Sequence, residues 1–156
     1  MTDVQNKIRN ANGGDISGIA AMVQRYWAFE GISGFDHTNV ARQLERVASG
    51  RDLGSVIVAS DGEKLIGYLI TVYVFSLEHL GLTAEIDEFY VEPEYRSRGI
   101  GSSLLNAAEH AAGDAGCTNL SLQLSDDNHR AREMYLRHVF SPRSGYSLLE
   151  KELETS

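Results

Sequence analysis

The chain has 156 residues, enough for one domain with its own hydrophobic core, and we predict a single domain over residues 1–156. Its composition, 42% hydrophobic and 23% charged, is that of an ordinary globular protein. With 14 basic and 22 acidic residues, the net charge is −8, which argues against a nucleic-acid-binding protein and favours cationic partners. The one cysteine, Cys117, excludes an intramolecular disulfide and a metal site built from cysteines.

The sequence carries no apolar targeting segment. Residues 1–7 lack the apolar core of a signal peptide, and no run of about eighteen apolar residues could cross a membrane. The histidines do not follow a metal-ligand spacing, so we expect no metal site. We therefore expect a protein of the reducing cytoplasm without membrane or nucleic-acid partners.

Hydrophobic periodicity predicts two helices after a short first strand. Lys7–Ala11 can form that strand, and Asp15 is placed to cap the first helix. The glycines of Gly31–Gly34 end this helix, and Asp36 or Thr38 begins the second. The inward-facing positions of the two helices are Ile16, Ile19, Ala20, Val23, Trp27, Val40, Leu44 and Val47.

The middle of the chain is rich in β-branched and aromatic residues, which are typical of strands. We predict strands over Ser55–Ser60, Lys64–Phe75 and Ala84–Val91. Asp61–Gly62 is a tight hairpin turn, and Leu80–Thr83 is predicted as a second turn.

The C-terminal half alternates helices and strands. A helix is predicted over Gly99–Ala112, a strand over Asn119–Leu124, and a closing hairpin over Val139–Phe140 and Tyr146–Leu153. Another helix precedes this hairpin, and its shared face carries Ala131, Met134, Tyr135 and His138. This order predicts a mixed α/β (α+β) fold whose central sheet is mostly antiparallel, with helices on both faces.

The turn before the third predicted helix is the most informative segment of the chain. A helix N-terminus leaves backbone N–H groups without helical partners and carries partial positive charge. Gly99 and Gly101 let a ligand approach the backbone, and Arg96 and Arg98 add charge, so the turn suits a diphosphate. It is not a P-loop, because no lysine follows the second glycine, and Leu104 replaces the third glycine of the dinucleotide fingerprint.

This turn resembles the acetyl-CoA pyrophosphate loop, Arg/Gln-x-x-Gly-x-Gly/Ala, of the GNAT superfamily of N-acetyltransferases. That family continues with Asn-x-x-Ala-x-x-Leu/Met-Tyr and then Gly-Phe. The matching residues here are Asn128, Ala131, Met134, Tyr135 and Phe140, with Val139 in place of the glycine. The resemblance covers Glu63–Leu149 well and the N-terminal third in outline. It implies the acyl-CoA N-acyltransferase fold and an N-acetyltransferase with acetyl-CoA as its co-substrate.

The resemblance implies catalytic roles for three side chains. Tyr135, whose phenol is protonated at neutral pH, would donate to the departing CoA thiolate. Asp87 or Glu88 would take the proton of the amine, although either could instead bind a cationic substrate without moving protons. Strict strand alternation places Asp87 with Glu85 on one face and Glu88 with Ile86 on the other. A bulge would change that assignment.

The resemblance also implies an acetyl-CoA site. The backbone of the strand that ends at Val91 would pair with the pantetheine arm, in a slot left where the next strand splays away. Asn128 would either bind near the pantetheine or cap the following helix. The residues expected to bind acetyl-CoA are Phe89, Tyr90, Val91, Arg96, Ser97, Arg98, Gly99, Ile100, Gly101, Ser102 and Asn128.

The acceptor amine is the part that the sequence determines least. Tyr73–Ser76 and Ile86–Val91 resemble the diamine and polyamine branch of the family, which implies a small amine that attacks directly in a ternary complex. Tyr26 and Glu30 are of the types that suit a cationic amine. A protein lysine or N-terminus as acceptor, and a non-catalytic CoA-binding sensor, stay open. A homodimer through the edge of Tyr146–Leu153 is a further expectation.

Overall fold

The computed structural model describes residues 6–50 and 52–155. The chain divides into two compact units, Met1–Leu122 and Gln123–Ser156. The single domain expected from the sequence stays a prediction. Within the described residues, no helix is both long and apolar enough to cross a membrane.

Within residues 6–50 and 52–155, five strands and four helices follow one another in nearly the predicted order. Two short 3-10 turns, Gly13–Asp15 and Pro93–Tyr95, lie between them. The elements are β1 (Asn6–Asn10), α1 (Ile16–Glu30), α2 (His37–Ser49), β2 (Gly54–Asp61), β3 (Lys64–Ser76), β4 (Gly81–Val91), α3 (Ile100–Asp114), β5 (Leu120–Leu122) and α4 (His129–Arg137).

The five strands form one sheet in the N-terminal unit, in the order β1-β2-β3-β4-β5. Strands β1 to β4 pair antiparallel in sequence order, whereas β5 runs parallel to β4. A parallel neighbour requires a crossover connection, and α3 supplies it. The predicted mixed and mostly antiparallel sheet is thereby confirmed.

Helices cover both faces of this sheet, as predicted. On one face, α1 and α2 pack on the strands through a cluster of buried side chains. Its members are Ile16, Ile19, Ala20, Met22, Val23, Leu44, Val56, Val58, Tyr68, Ile70 and Tyr90. On the other face, Leu104 of α3 is fully buried and lies against Gly67. Successive strand residues point to opposite faces, so Gly67 and Tyr68 contact different layers.

An aspartate precedes each of the first two helices, but only one of the two caps its helix. Asp36 caps α2, since its Oδ1 accepts a hydrogen bond from the Asn39 backbone N–H at 3.0 Å. Asp15 stands at the predicted N-cap of α1, but its side chain makes no capping bond there. Its carboxylate instead accepts two bonds from Arg9 and one from the Asn12 backbone N–H. This ion pair fastens the start of α1 to β1.

Two predictions about strands are wrong. Leu80–Thr83 was expected to be a turn, but β4 already begins at Gly81, because β3 and β4 remain paired out to Ser76 and Gly81. The chain reverses over residues 77–80 instead.

The closing hairpin over Val139–Phe140 and Tyr146–Leu153 is not formed. Neither segment is in a strand, and Tyr146, Leu149 and Leu153 are exposed. Apolar content alone does not create a strand, because each strand needs a partner for its backbone groups. The edge expected to support a homodimer is therefore not a strand, and dimerisation itself stays a prediction.

We predict that Gly67→Ala destabilises the protein, because Gly67 lies where β3, β4 and α3 meet. A Cβ atom there would lie 2.9 Å from the Tyr90 carbonyl oxygen and 3.3 Å from Leu104 Cδ1. Overpacking of this kind costs about 1–3 kcal/mol, so the free energy of unfolding in urea should fall by that amount. Gly113→Ala is the control, because a Cβ at Gly113 of α3 meets nothing within 4 Å. It should raise the free energy of unfolding by about 0.4–1 kcal/mol. Equal effects of the two substitutions would contradict the packing argument.

Candidate active site

Strand β4 carries one extra residue, and this decides which of its carboxylates face α1. Glu88 pairs with Ile70 of β3, whereas Ile86 pairs with the next β3 residue, Thr71. Asp87 is therefore the extra residue of a β-bulge. The alternation predicted from the sequence, with Ile86 and Glu88 on one face, is wrong because of this bulge. Ile86 lies on the α3 face with Thr71, and Glu88 lies on the α1 face with Ile70.

The bulge brings two carboxylates onto the α1 face of the sheet. Glu88 and Tyr90 share this face with Tyr68, which pairs with Tyr90 across the strands. Glu85 pairs with Val72, which points to the same side as Tyr68, so Glu85 joins Glu88 rather than Asp87. The acidic character of β4 is thus concentrated on the side that α1 covers.

The edge of β4 opens directly after the bulge. Strand β5 pairs with β4 only over Ala84–Ile86, opposite Leu120–Leu122, and β4 continues to Val91 beyond this point. Strand β5 is thus shorter than the predicted Asn119–Leu124. The slot expected beside Phe89–Val91 stays a prediction.

Glu88 is a half-buried carboxylate held by two neutral donors. The Tyr68 hydroxyl donates to its Oε1 at 2.8 Å, and the Trp27 indole N–H donates to its Oε2 at 3.0 Å. Burial raises the pKa of Glu88 above its ordinary value, and the nearby Asp87 adds to this, while the two hydrogen bonds oppose it. Both hydrogen bonds favour the ionised form. Glu88 is therefore a fixed carboxylate of raised basicity.

Asp87 differs from Glu88 in its surroundings, although the two are adjacent. Its side chain is exposed, and partial desolvation raises its pKa from the ordinary value. Water limits such an effect at an exposed carboxylate. Of the two carboxylates that the sequence left equivalent, Glu88 is the one that the fold orients.

Aromatic rings form a wall beside Glu88. The Tyr90 ring lies 5.9 Å from the Tyr68 ring and 6.0 Å from the Tyr26 ring, centroid to centroid. Burial and the negative charges of Glu30, Glu88 and Asp87 raise the pKa of Tyr26, so its hydroxyl stays protonated. Aromatic faces next to carboxylates attract cations. This part of the N-terminal unit is therefore suited to a positively charged ligand.

A buried ion pair that the sequence did not predict lies at the end of β4. The Arg25 guanidinium contacts Glu92 Oε1 through Nε at 3.0 Å and through a second nitrogen. The Tyr90 hydroxyl donates to Glu92 Oε2 at 2.9 Å. Glu92 is 7% exposed, although it lies next to Pro93 in a segment that the sequence suggests is a solvated turn. The only feature of the sequence that could have pointed to Glu92 is the position of its carboxylate, directly after an apolar strand.

The predicted phosphate loop contains two residues in left-handed conformations. Gly99 is the N-cap of α3 at φ 82°, where glycine has no steric cost, and Ser97 is left-handed too at φ 63°. Gly99 itself has no side chain that could cap α3. Gly101 and Ser102 lie in its first turn, where backbone N–H groups point away from the helix. Of the expected ligand residues, Ile100 is 2% exposed, so it can contribute only through its backbone.

The two arginines of the loop are exposed, and their side chains contact different groups. Arg96 Nε donates to the Val91 carbonyl oxygen at 2.9 Å, and the Arg96 guanidinium lies 5.7 Å from the Tyr90 ring centroid. The Arg98 guanidinium lies 5.4 Å from the Tyr95 ring centroid. Both arginines lie within four residues before α3, and their contact with a diphosphate stays a prediction.

Two of the predicted site residues belong to the C-terminal unit. Asn128 caps α4, because its Oδ1 accepts a hydrogen bond from the Ala131 backbone N–H at 3.2 Å. This favours the capping interpretation of Asn128. Tyr135 is partly buried in α4, and its ring packs edge-to-face on Phe140 with the centroids 5.5 Å apart. The Asn-to-Phe motif thus holds together as one local structure.

Comparison with known sequences gives a consistent family. The model of the acetyltransferase (GNAT) family matches residues 19–140. A thialysine N-epsilon-acetyltransferase of Bos taurus is 28% identical over 138 residues, which is 82% of this chain and 79% of that protein. An uncharacterized N-acetyltransferase, YhfO, of Bacillus subtilis is 27% identical over 143 residues, which is 89% of this chain and 92% of that protein.

Comparison with solved structures agrees in fold. The structure of AAC(6')-Iy in complex with the bisubstrate analogue CoA-S-monomethyl-acetylneamine superposes with a TM-score of 0.81. The match covers 96% of this chain and 99% of that one at 15% identity, so it establishes the acyl-CoA N-acyltransferase fold. Together with the family match over most of the chain, this identifies the protein: it belongs to the acetyltransferase (GNAT) family and is an acetyl-CoA-dependent N-acetyltransferase.

Proposed function

We propose that the enzyme acetylates a primary amine of a small cationic molecule, such as a diamine or polyamine, by direct attack in a ternary complex. The observation that carries this proposal is the Glu88 carboxylate, oriented by Trp27 and Tyr68 within an aromatic and acidic wall. The relative named for thialysine and the aminoglycoside acetyltransferase structure with a CoA-linked analogue support an amine acceptor and CoA binding.

Acetyl-CoA is proposed to bind at the opening of β4 and the start of α3. The backbone of Phe89–Val91 would receive the pantetheine arm as an added strand. The backbone N–H groups from Ser97 to Ser102, with the charges of Arg96 and Arg98, would hold the diphosphate. Support comes from the glycine N-cap of α3, which lets a ligand approach the backbone, and from the end of β4–β5 pairing at Ile86. Asn128 keeps a proposed place near the pantetheine, secondary to its role as a cap.

Glu88 is proposed as the general base, directly or through one water molecule. A primary ammonium has a pKa of about 10.4, so it must lose a proton before its nitrogen can attack. A carboxylate whose pKa burial has raised is a better proton acceptor than an exposed one. Asp87, exposed on the bulge, would then contribute charge rather than proton transfer.

The proposed reaction starts from the ammonium form of the amine, whose nitrogen loses two protons in all. One proton passes to Glu88 and on to solvent, and the neutral nitrogen then attacks the thioester carbonyl carbon. The tetrahedral intermediate loses the second nitrogen proton to solvent as the carbon–sulfur bond breaks. Tyr135 donates its phenol proton to the departing thiolate and recovers it from solvent. The products are an N-acetyl amine and CoA.

A small polycation is favoured over a protein acceptor by the charges around Glu88. Asp87 and Glu30 lie close enough to Glu88 and Tyr26 to affect their protonation, and Glu85 shares the face of Glu88. Several carboxylates can hold a second ammonium while the first reacts. The net charge of −8 acts in the same direction at longer range.

The acceptor class is tested by acetyl-CoA turnover, measured as release of free thiol, against a panel of amines. We expect saturable turnover with diamines or polyamines and a lower KM for these than for aminoglycosides, amino acids or peptides. High salt should raise the KM of the polycations, because it screens the carboxylates. Turnover of peptides alone would contradict the small-amine proposal. Tight acetyl-CoA binding without turnover of any amine would favour a CoA-binding sensor.

The base is tested by Glu88→Gln, with Asp87→Asn as its matched control on the neighbouring residue. Loss of a general base typically costs about 10²–10⁴-fold in rate, so kcat/KM of Glu88→Gln should fall by that factor. The dissociation constant for acetyl-CoA, measured by calorimetry, should stay unchanged. Asp87→Asn should change kcat by less than about threefold, since its exposed charge has little effect. The reverse ranking would assign the base to Asp87.

The pH dependence of kcat/KM is tested by Tyr68→Phe. The base must be ionised, so activity is present above the raised pKa of Glu88 and is lost as the pH falls through it. Removing the Tyr68 hydroxyl removes a bond that lowers this pKa, so the acid limb should move to higher pH. Tyr95→Phe is the control, because its hydroxyl donates to Asp61 rather than to Glu88. A shift to lower pH in Tyr68→Phe would exclude Glu88 as the titrating group.

A further inference from the structure

Glu92 is a buried carboxylate to which the proposed reaction gives no role. Its side chain is 9% exposed, compared with 52% for its partner Arg25. Its two oxygens accept hydrogen bonds from Arg25 and from the Tyr90 hydroxyl, and its backbone N–H donates to the Ile66 carbonyl oxygen at 2.8 Å. A buried charge needs such complete pairing, because an unpaired one is strongly unfavourable. Glu92 is thus a rigid anchor one residue beyond β4.

Helix α1 is attached to β4 by two polar contacts. Arg25 binds Glu92 at the end of the strand, and Trp27 donates to Glu88 nearer its middle. Residues two apart on a helix point to different sides, so the two side chains reach the strand from different sides of α1. Other residues of α1, such as Val23, pack on the sheet through apolar contacts, which are not directional. The two polar contacts together restrain the helix.

We propose that Arg25 and Glu92 form a positioning pair, which holds α1 at the angle where Trp27 donates to Glu88. This inference rests on the proposed function for its catalytic consequence, because Glu88 is the proposed base. The ion pair itself touches neither substrate nor the reacting atoms in this proposal. Loosening the pair should lengthen or break the Trp27–Glu88 hydrogen bond and leave Glu88 less well oriented.

The change in the titration of Glu88 distinguishes two causes, namely the loss of the Trp27 hydrogen bond and the removal of nearby charges. The groups that face Glu88 are Tyr26 of α1, Tyr68 of β3 and Asp87 of β4 itself, together with the Trp27 donor. The charges of Arg25 and Glu92 largely cancel, since they are in direct contact. Removing both at once therefore changes the field at Glu88 little. Any large change in its titration must then come through the Trp27 hydrogen bond.

The experiment uses Trp27, the one tryptophan of the chain, as its reporter. Its fluorescence, titrated with pH in the protein without substrates, should show a transition as Glu88 ionises, and Glu88→Gln should abolish that transition. In the double variant Arg25→Ala with Glu92→Gln, we expect the midpoint to move to higher pH. The acid limb of kcat/KM for the amine should move in the same direction, with a loss of roughly tenfold in kcat/KM.

The control is a second arginine–carboxylate pair, Arg9 with Asp15. Arg9→Ala with Asp15→Asn removes a comparable partly buried pair that fastens α1 to β1 at its opposite end. It should lower the melting temperature but leave the fluorescence midpoint in place. An unchanged midpoint in the folded Arg25/Glu92 variant, verified by circular dichroism, would overturn the proposal, and so would an equal shift in the control.

Glu92→Gln alone decides the question if the double variant does not fold. It is isosteric and leaves the positive charge of Arg25 in place, so electrostatics alone would move the Glu88 midpoint to lower pH. A loosened helix would move it to higher pH, which is the expected result, and a shift to lower pH would overturn the proposal. The titration needs no substrate, so a shifted midpoint together with absent amine turnover would refute the proposed function while supporting the positioning pair.

Discussion

The extra residue in β4 is the constraint on which the rest of the site depends. Because Asp87 is inserted into the strand, Glu88 and Glu85 lie together on the face that α1 covers, and Ile86 turns to the other face. The same bulge marks the point where β5 stops pairing with β4. A single local irregularity thus decides which side chains of β4 lie on the α1 face of the sheet.

The pKa of Glu88 is set by burial and by hydrogen bonds, which act in opposite directions. Burial favours its protonated form, whereas the hydrogen bonds from Trp27 and Tyr68 favour its ionised form. The fold supplies these donors from α1 and β3. The Tyr26 and Tyr90 rings pack against each other, with their centroids 6.0 Å apart. A carboxylate can therefore be both well oriented and basic.

The phosphate loop depends much less on the rest of the fold. Gly99 and Ser97 take left-handed conformations, and Gly99 forms the N-cap of α3, all within a few residues of sequence. Helix polarity and glycine flexibility are local properties, so the same segment is recognisable before any tertiary contact is known. Arg96 links this loop to the sheet, since its side chain contacts both the Val91 carbonyl and the Tyr90 ring of β4.

The sequence by itself determined the order of the elements, the mixed sheet, the loop around Gly99 and the family, because periodicity, glycine placement and short motifs act over neighbouring residues. It led to a wrong expectation for the hairpin at Tyr146–Leu153, whose formation depends on a partner strand rather than on apolar content. Only the tertiary structure showed that Glu88 is half-buried and held by Trp27 and Tyr68, and disclosed the Arg25–Glu92 pair. Those contacts join residues 61 and 67 positions apart in the chain, as in Trp27–Glu88 and Arg25–Glu92. The geometry of these contacts is set by how α1 packs across β4, and it cannot be predicted from neighbouring residues in the sequence.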